Sequence, residues 1–412
     1  MVKVTAPEGG GRREKPVNGG GRMKEGTKTA TAVLALLALC AAVSGYWMKN
    51  ARAMFDEATV IRRVHVSPWD NSTYEKRFYS TDWPALARWV WRGIFAAGGR
   101  RWEEFDDEHY EFRRETPLFP GNIRLLEGER APRGPVYLLR ATAGVFLAGA
   151  CAAVFFIALR AAGSRAAAFA AALPILFHPA TGKWVIGYPG TDAMILFWMV
   201  LFLALWMRFH AAGTATRPSR ALVMAAVAGL AAGTKINGGL LTVAFAAYLA
   251  VNCRGFRRVW LTAAFAAVAF VVFVAINPVL WQPGGGGLVM GIRDILARRV
   301  EVMRDQERLH PAARSMYFDA RLWALPLVPW AGLAIYLVRR GKWVVPTAYW
   351  SIIIFAGSYV TLNRYDARLG FPLDAAVLVP ATVAALAAFT GLWKKYRRGT
   401  NAEAAEEGKA DG

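Results

Sequence analysis

The sequence predicts an all-α protein that crosses a membrane about ten times. Of its 412 residues, 55% are hydrophobic and 13% are aromatic, and apolar stretches recur from Ala30 to Trp393. Several of these stretches come close to the roughly 20 apolar residues needed to cross a hydrocarbon core of about 30 Å. Basic residues collect in alternate connections between them. The bilayer, rather than a soluble core, therefore sets the architecture.

Ten apolar segments are predicted to be membrane-spanning helices, with boundaries placed to within a few residues. The fifth segment, 221–233, is short and rich in Ala and Gly, so its hydrophobic pattern supports a span less strongly than those of the other nine. The segments run near 30–48, 138–159, 165–178, 191–209, 221–233, 236–252, 259–277, 319–338, 343–361 and 370–393.

The net charge of +21, from 50 Lys and Arg against 29 Asp and Glu, has two readings. A basic soluble protein would suggest nucleic acid, whereas a membrane protein concentrates Lys and Arg in cytoplasmic loops. The positions of the Lys and Arg residues favour the membrane explanation and argue against a nucleic-acid partner. With the N-terminus inside, the five cytoplasmic connections carry fifteen basic and no acidic residues: Arg160, Arg165, Arg208, Arg217, Arg220, Arg254, Arg257, Arg258, Arg339, Arg340, Lys342, Lys394, Lys395, Arg397 and Arg398.

The domain organisation follows from these spans. A membrane domain over 30–393 is predicted between a disordered basic tail, 1–29, and a tail over 394–412, both cytoplasmic. The first span could be mistaken for a cleaved signal peptide. A retained anchor is preferred, because Leu39 is too large for the position before a lipoprotein cysteine at Cys40. The three cysteines have no metal-ligand spacing, so no metal site is predicted and metal dependence is left open.

Two outer loops, 48–137 and 278–318, contain amphipathic patterns. In the first loop, Asp82-Trp83-Pro84 is expected to start a helix. Such helices either lie on the membrane surface or pack on the bundle, and spacing alone leaves both open. The apolar residues at helical spacing are Leu86, Trp89, Val90 and Ile94 in the first loop, and Val289, Ile292, Leu296, Val300 and Met303 in the second.

The polar residues of most interest all fall on the predicted outer face. Ionisable groups at membrane depth cost roughly 2.5–3.5 kcal/mol on insertion scales, which makes them functional candidates. Each also has a structural explanation: Asp192 could cap a helix, Lys235 could snorkel, and Arg364 could bind lipid headgroups. Together they place acids and cations around one site. The segments are Phe55-Asp56-Glu57, Asp192, Lys235-Ile236-Asn237, Asn277-Pro278 and Asn363-Arg364-Tyr365-Asp366.

These segments resemble the GT-C superfamily of membrane glycosyltransferases, and specifically the dolichyl-phosphate-mannose–protein mannosyltransferases and their bacterial relatives. Phe55-Asp56-Glu57 is similar to the Phe-Asp-Glu after that family's first span. The stretch 229–238, Gly-Leu-Ala-Ala-Gly-Thr-Lys-Ile-Asn-Gly, is the most specific match. Trp83-Pro84-Ala85-Leu86-Ala87-Arg88 resembles the family's His-Pro-Pro-Leu-Gly-Lys in altered form, with Trp83 in place of the His.

The resemblance implies a GT-C-type bundle and inverting transfer of mannose or another hexose from a polyprenyl-phosphate donor. The acceptor would be a protein, lipid or glycan on the outer face of a prokaryotic inner membrane. Asp56 is expected to be the general base, with Glu57 second or orienting it. Lys235 and Arg364, and less directly Arg88, are expected to bind the donor phosphate. Asp192, Asp82 and Asn237 are assigned to the acceptor or to loop ordering.

Two other functions are compatible with a polytopic chain. A transporter or carrier-lipid flippase also uses intramembrane charges, but no clear inverted repeat or pair of interrupted helices is found. A non-catalytic scaffold could use the first outer loop to bind a partner. The long loop with its predicted helices favours an enzyme.

Overall fold

The computed structural model describes residues 19–50, 69, 85–98, 110–113, 122–125, 133–177, 181–186, 191–281, 287–297, 390 and 393. The first seven predicted spans fall within this part. The last three, near 319–338, 343–361 and 370–393, lie outside it apart from residues 390 and 393, and so do both predicted tails, except for 19–29.

The described chain is mostly helical. Three short turns of other helix types interrupt it: a π-helix, Thr181–Ile186, and two 3₁₀ turns, Ile236–Gly239 and Pro278–Leu280. The α-helices are α1 (Gly19–Asn50), α2 (Leu86–Ala97), α3 (Arg133–Ala162), α4 (Arg165–Leu176), α5 (Asp192–Ala211), α6 (Pro218–Thr234), α7 (Leu240–Asn252), α8 (Phe256–Ile276) and α9 (287–297).

A two-stranded antiparallel hairpin departs from the all-α prediction. Its strands are β1, Tyr110–Arg113, and β2, Asn122–Leu125, with Tyr110 opposite Leu125. Polar and apolar residues alternate in both strands, which is the pattern of a half-buried strand. Glu111 lies opposite Arg124 in the register. The prediction is correct for the bundle and wrong for this part of the first loop.

All seven predicted spans in the described part form helices, though of unequal length. Four stretches are long and apolar enough to cross a membrane: Gly26–Asn50, Tyr137–Ala162, Asp192–Ala211 and Phe256–Ile276. The apolar helices α4 and α7, with 12 and 13 residues, are shorter. At 1.5 Å per residue they measure about 18–20 Å, less than the hydrocarbon thickness. Helix α6, the weakest pattern in the sequence, is a 17-residue helix.

The bundle is organised around two helices. Helix α3 packs on α1, α4 and α5, whereas α8 packs on α6 and α7, and α5 joins the two groups through α6. Aromatic rings fill the junction between α5, α7 and α8. Trp206 contacts Phe245 and Tyr248 edge-on, and Phe245 contacts Phe265, with ring centroids 5.0–5.2 Å apart.

Hydrogen bonds between helix ends show that the bundle has two chemically different ends. One end, called the site end below, carries Met48, Arg140, Asp192, Lys235 and Asn277. The other, called the arginine end, carries the connections α3–α4, α5–α6 and α7–α8. At the arginine end, Arg165 Nε donates to Thr29 Oγ1 at 3.0 Å and Arg257 Nη2 to the Thr216 carbonyl at 2.8 Å. The three basic connections that the structure describes therefore lie at one end of the bundle.

Candidate functional site

A buried ion pair between α6 and α5 is the central feature of the site end. Lys235 Nζ lies 2.6 Å from Asp192 Oδ1, and their side chains are only 15% and 5% exposed. Sequence reasoning selected both residues but gave them separate roles. The structure pairs them directly, so the explanation of Lys235 as a snorkelling helix end is wrong.

Glycine packing brings Lys235 to this position. Gly229 and Gly233 of α6 face α8, and a Cβ at Gly229 would lie 2.6 Å from the Ala269 carbonyl oxygen. At Gly233 a Cβ would lie 3.3 Å from the Ile276 side chain. Small residues four apart let two membrane helices approach closely. The glycines of the most specific sequence match therefore set the distance between α6 and α8.

The chain turns sharply immediately after this contact. Lys235 is extended, with φ −152° and ψ 134°, and its N–H donates to the Ala231 carbonyl at 3.0 Å. Gly238 N–H closes the following turn by donating to the Lys235 carbonyl at 2.8 Å. A Cβ at Gly238 would collide with the Ala231 backbone. The turn thus needs glycine and directs the lysine side chain towards α5.

Asp192 is the first residue of α5 and not its N-cap. Thr191 occupies the cap position and makes no side-chain cap hydrogen bond. The capping explanation of Asp192 is therefore wrong, because its carboxylate reaches across to Lys235. A carboxylate in the first turn is also favoured by the positive end of the helix dipole.

Asn277 fastens α2 to the end of α8. Its Nδ2 donates to the Phe273 carbonyl at 2.6 Å, and its Oδ1 accepts from the Ala85 N–H at 2.7 Å. Trp89 Nε1 donates to the Ile276 carbonyl at 2.9 Å. One side chain thus satisfies a backbone group at the end of α8 and another at the start of α2, which the sequence did not reveal.

Helix α2 packs on the bundle, against α3 and α6, and so settles one of the two alternatives for this helix. The predicted face was wrong. Leu86, Trp89, Val90 and Ile94 are only half-buried, because a different face of the helix turns inwards. The buried residues are Ala87, Arg88, Trp91 and Phe95.

Two buried arginines add positive charge near this end. Arg88 is 1% exposed and Arg140 is 4% exposed. Arg140 Nη1 donates to the Met48 carbonyl at 2.9 Å, which ties the start of α3 to the end of α1. Arg140 was missed, although an arginine just inside the span predicted at 138–159 is the intramembrane charge that the general rule selects.

Helix α9 combines both behaviours considered for the second outer loop. Ile295 is buried beside Val279 and Leu280, and Ile292 packs against the same cluster. Val289 and Leu296 are 79% and 58% exposed. The helix therefore packs one apolar edge on the bundle and leaves the other uncovered. The predicted continuation to Val300 and Met303 lies outside the described residues.

Solved structures resemble this chain, whereas no protein-family model and no curated protein sequence matches it. The archaeal oligosaccharyltransferase AglB of Archaeoglobus fulgidus, in complex with an inhibitory peptide and a dolichol-phosphate, is 14% identical with a TM-score of 0.50. It aligns over 90% of this chain and 52% of its own. The chain is therefore similar in fold to this oligosaccharyltransferase.

The S. cerevisiae protein O-mannosyltransferase Pmt1-Pmt2 complex bound to the sugar donor also matches, at 16% identity and a TM-score of 0.42. That alignment covers 62% of this chain and 34% of the other. The chain thus spans between about a third and about half the length of these GT-C proteins.

Several predicted site residues of this chain lie outside the described part. They are Asp56, Glu57, Asp82 and Arg364. The backbone of Asn237 belongs to the 3₁₀ turn after Lys235. Within the residues that the structure describes, no group of three His, Cys, Asp or Glu could hold a metal ion.

Proposed function

We propose that this chain is an integral-membrane glycosyltransferase that moves a hexose, mannose or another, from a polyprenyl-phosphate donor to an acceptor hydroxyl. The observation that supports this most strongly is the buried Lys235–Asp192 pair at the site end of a GT-C bundle. A lysine held at a helix end by glycine packing is a fixed cation. Lipid-linked donors present the anion that such a cation would bind.

The proposed role of Lys235 is to stabilise the lipid phosphate as it leaves. Negative charge grows on this phosphate while the bond to the anomeric carbon breaks, and a preorganised cation stabilises that charge without reorganising. A lysine ammonium has three donors, and the contact with Asp192 uses one of them. Arg88 and Arg364 are proposed as further cations for the same phosphate.

Asp192 is proposed to hold Lys235 in place, and so to act as a positioning residue. Removing one partner of a buried ion pair costs about 3–5 kcal/mol, because the other charge is left without compensation. This pairing refines the expected loop-ordering role of Asp192. Asp82 and Asn237 keep the proposed role of contacting the acceptor or ordering its loop.

Asp56 is proposed as the general base of an inverting single displacement. The acceptor hydroxyl loses its proton to the carboxylate as its oxygen attacks the anomeric carbon, and the lipid phosphate leaves from the opposite face. A positioned base contributes typically 10²–10⁴-fold. Glu57 is second choice, or orients Asp56. The acceptor is a protein, a lipid or a glycan.

The site end is proposed to face outwards from a prokaryotic inner membrane, with both termini cytoplasmic. The arginines at the other end support this orientation. Single cysteines at positions 100 and 310 should react with a membrane-impermeant maleimide added outside. Thr214→Cys, at the arginine end, should react only after the membrane is opened. Labelling of Thr214→Cys in sealed cells would contradict the orientation.

The transfer itself can be tested with membranes and a panel of radiolabelled polyprenyl-phosphate sugars. Label should move from one donor to an endogenous acceptor, and Lys235→Ala should weaken the use of donor much more than the use of acceptor. Lys49→Ala is the matched control, because Lys49 is an exposed lysine at the end of α1. Failure to transfer label from any donor would overturn the proposal. An unchanged donor dependence in Lys235→Ala would overturn the role of the lysine.

A further inference from the structure

Six arginines at the arginine end carry charges that no carboxylate balances in the described part of the chain. The sequence has no Asp or Glu between Asp192 and Asp294, the stretch that contains all six. The ion pairs that the structure describes, Lys235–Asp192 and Arg293–Asp294, both lie elsewhere. Concentrated positive charge of this kind attracts an anionic partner. The arginines are Arg208, Arg217 and Arg220 at the α5–α6 connection, and Arg254, Arg257 and Arg258 at the α7–α8 connection, and all are exposed.

Two contacts hold the arginines of these connections on one surface. Arg257 Nη2 donates to the Thr216 carbonyl at 2.8 Å, which joins one connection to the other. Arg220 lies over the Phe209 ring, 4.9 Å from its centroid, at the end of α5. Helices α6 and α8 both begin here, and the start of a helix also favours nearby anions. The six arginines therefore form a single surface, called the arginine patch below.

Exposed apolar side chains border the arginine patch. Phe256, between two of the arginines, is 81% exposed, and Val259 on the next turn of α8 is 64% exposed. Leu222 and Val223 of α6 are exposed as well. A phospholipid has its phosphate directly beside its acyl chains, so it can contact the arginines and this border at once. The patch and its border together match a lipid whose headgroup is anionic.

We propose that the arginine patch binds an anionic phospholipid, such as phosphatidylglycerol, more tightly than it binds the zwitterionic lipids of the same membrane. The phosphate lies among the arginines of the two connections, and the acyl chains lie along α6 and α8. Basic pockets between membrane helices bind the headgroups of anionic lipids. This inference does not depend on the proposed transfer, because it concerns the end of the bundle opposite to Lys235.

The lipids that the purified full-length chain retains test this preference. The protein in detergent is incubated with equal amounts of phosphatidylglycerol and phosphatidylcholine, and the bound lipids are counted by native mass spectrometry. The wild type should retain phosphatidylglycerol preferentially. This preference should weaken as salt is added, because salt screens exposed charges. Equal retention of the two lipids would overturn the proposal.

Paired substitutions at the two ends of the bundle locate the binding site. Arg217→Gln combined with Arg254→Gln removes one exposed cation from each connection. Affinity for phosphatidylglycerol should fall about thirty-fold, because each basic residue near an anionic lipid surface contributes to binding. The matched control, Lys49→Gln combined with Arg293→Gln, removes two exposed cations outside the patch and should retain as much lipid as the wild type. An equal loss in the control would show that net charge alone attracts the lipid, and would overturn the site.

Two further measurements distinguish the lipid from other anions. Inorganic phosphate at matched ionic strength should not displace phosphatidylglycerol, because it has no acyl chains to contact the apolar border, and displacement would overturn the lipid as the partner. The acidic residues near the C-terminus are a second complementary partner, and Glu403→Gln, Glu406→Gln and Glu407→Gln together should leave lipid retention unchanged. A rise in retention would show that the patch binds this acidic segment in the intact chain, and would overturn the proposal.

Discussion

The charged side chains at the two ends of the bundle differ in how much of them is exposed. At the arginine end, Arg208, Arg220, Arg254 and Arg257 are exposed. Their contacts are typical of a solvated surface, such as Arg220 stacked 4.9 Å over the Phe209 ring. At the site end Arg88 and Arg140 are buried, and the largely buried Lys235 pairs with a buried carboxylate. Exposed arginines orient a membrane protein at little cost, whereas buried charges need specific partners and are therefore the better guide to function.

Polar contacts also hold the helix ends at the site end in place. Asn277, Trp89 and Arg140 each bind a backbone carbonyl at the site end and are buried or half-buried. At the arginine end, His210 Nδ1 and the Tyr248 hydroxyl lie 2.8 Å apart within the packed helices. The site end thus fixes the chain ends from which its loops leave. These contacts are what a preorganised site requires.

The largest expected effect comes from the proposed base. Asp56→Asn keeps the shape of the side chain but cannot accept a proton, so transfer should fall by about 10²–10⁴-fold. Folding, followed by thermal unfolding in detergent, and donor binding should be preserved. Glu57→Gln should cost less, because neighbouring side chains point in different directions. Near-wild-type transfer by the double variant would place the base elsewhere.

A smaller but general effect is expected from the α6–α8 contact. Gly229→Ala inserts a methyl group 2.6 Å from the Ala269 carbonyl and should destabilise the protein by about 1–3 kcal/mol. Transfer should also fall, because Lys235 moves with the end of α6. Gly45→Ala, in α1, is the matched control, since nothing lies within 4 Å of its Cβ position. Equal thermal stability of the two variants would show that α6 and α8 are not in close contact.

The smallest effect is expected at the arginine end. Arg257→Ala removes the exposed hydrogen bond to Thr216, and an exposed substitution typically changes stability by no more than about 0.5 kcal/mol. Transfer should stay close to that of the wild type. A large loss of donor use in this variant would break the distinction between the two ends.

The helices at the seven predicted spans of the described part, and the placement of Lys235 and Asp192 at one end, could be predicted because they follow from local patterns. Apolar length gives the helices, and alternation along the chain brings the end of α6 and the start of α5 to one end of the bundle. The direct ion pair could not be predicted, since it depends on how α6 packs against α5.

Contacts between distant segments account for the features that were missed. The Asn277 contact with Ala85 joins residues 192 positions apart, and Arg140 binds a carbonyl 92 positions away. The predicted face of α2 was wrong because the face that turns inwards carries Arg88 together with Trp91 and Phe95. In such a helix, packing against α3 and α6 decides the face, and the hydrophobic pattern does not.

The central claim is that the buried Lys235–Asp192 pair serves chemistry as well as folding, and four proteins test it: the wild type, Lys235→Met, Asp192→Asn and the double variant. Thermal unfolding and donor kinetics are measured on each. Each single variant leaves a buried polar or charged group without its partner, so stability should fall in both and recover substantially in the double variant. Transfer should stay low in the double variant, because the phosphate still lacks its cation. If transfer recovers together with stability, the pair is structural and the phosphate is bound elsewhere.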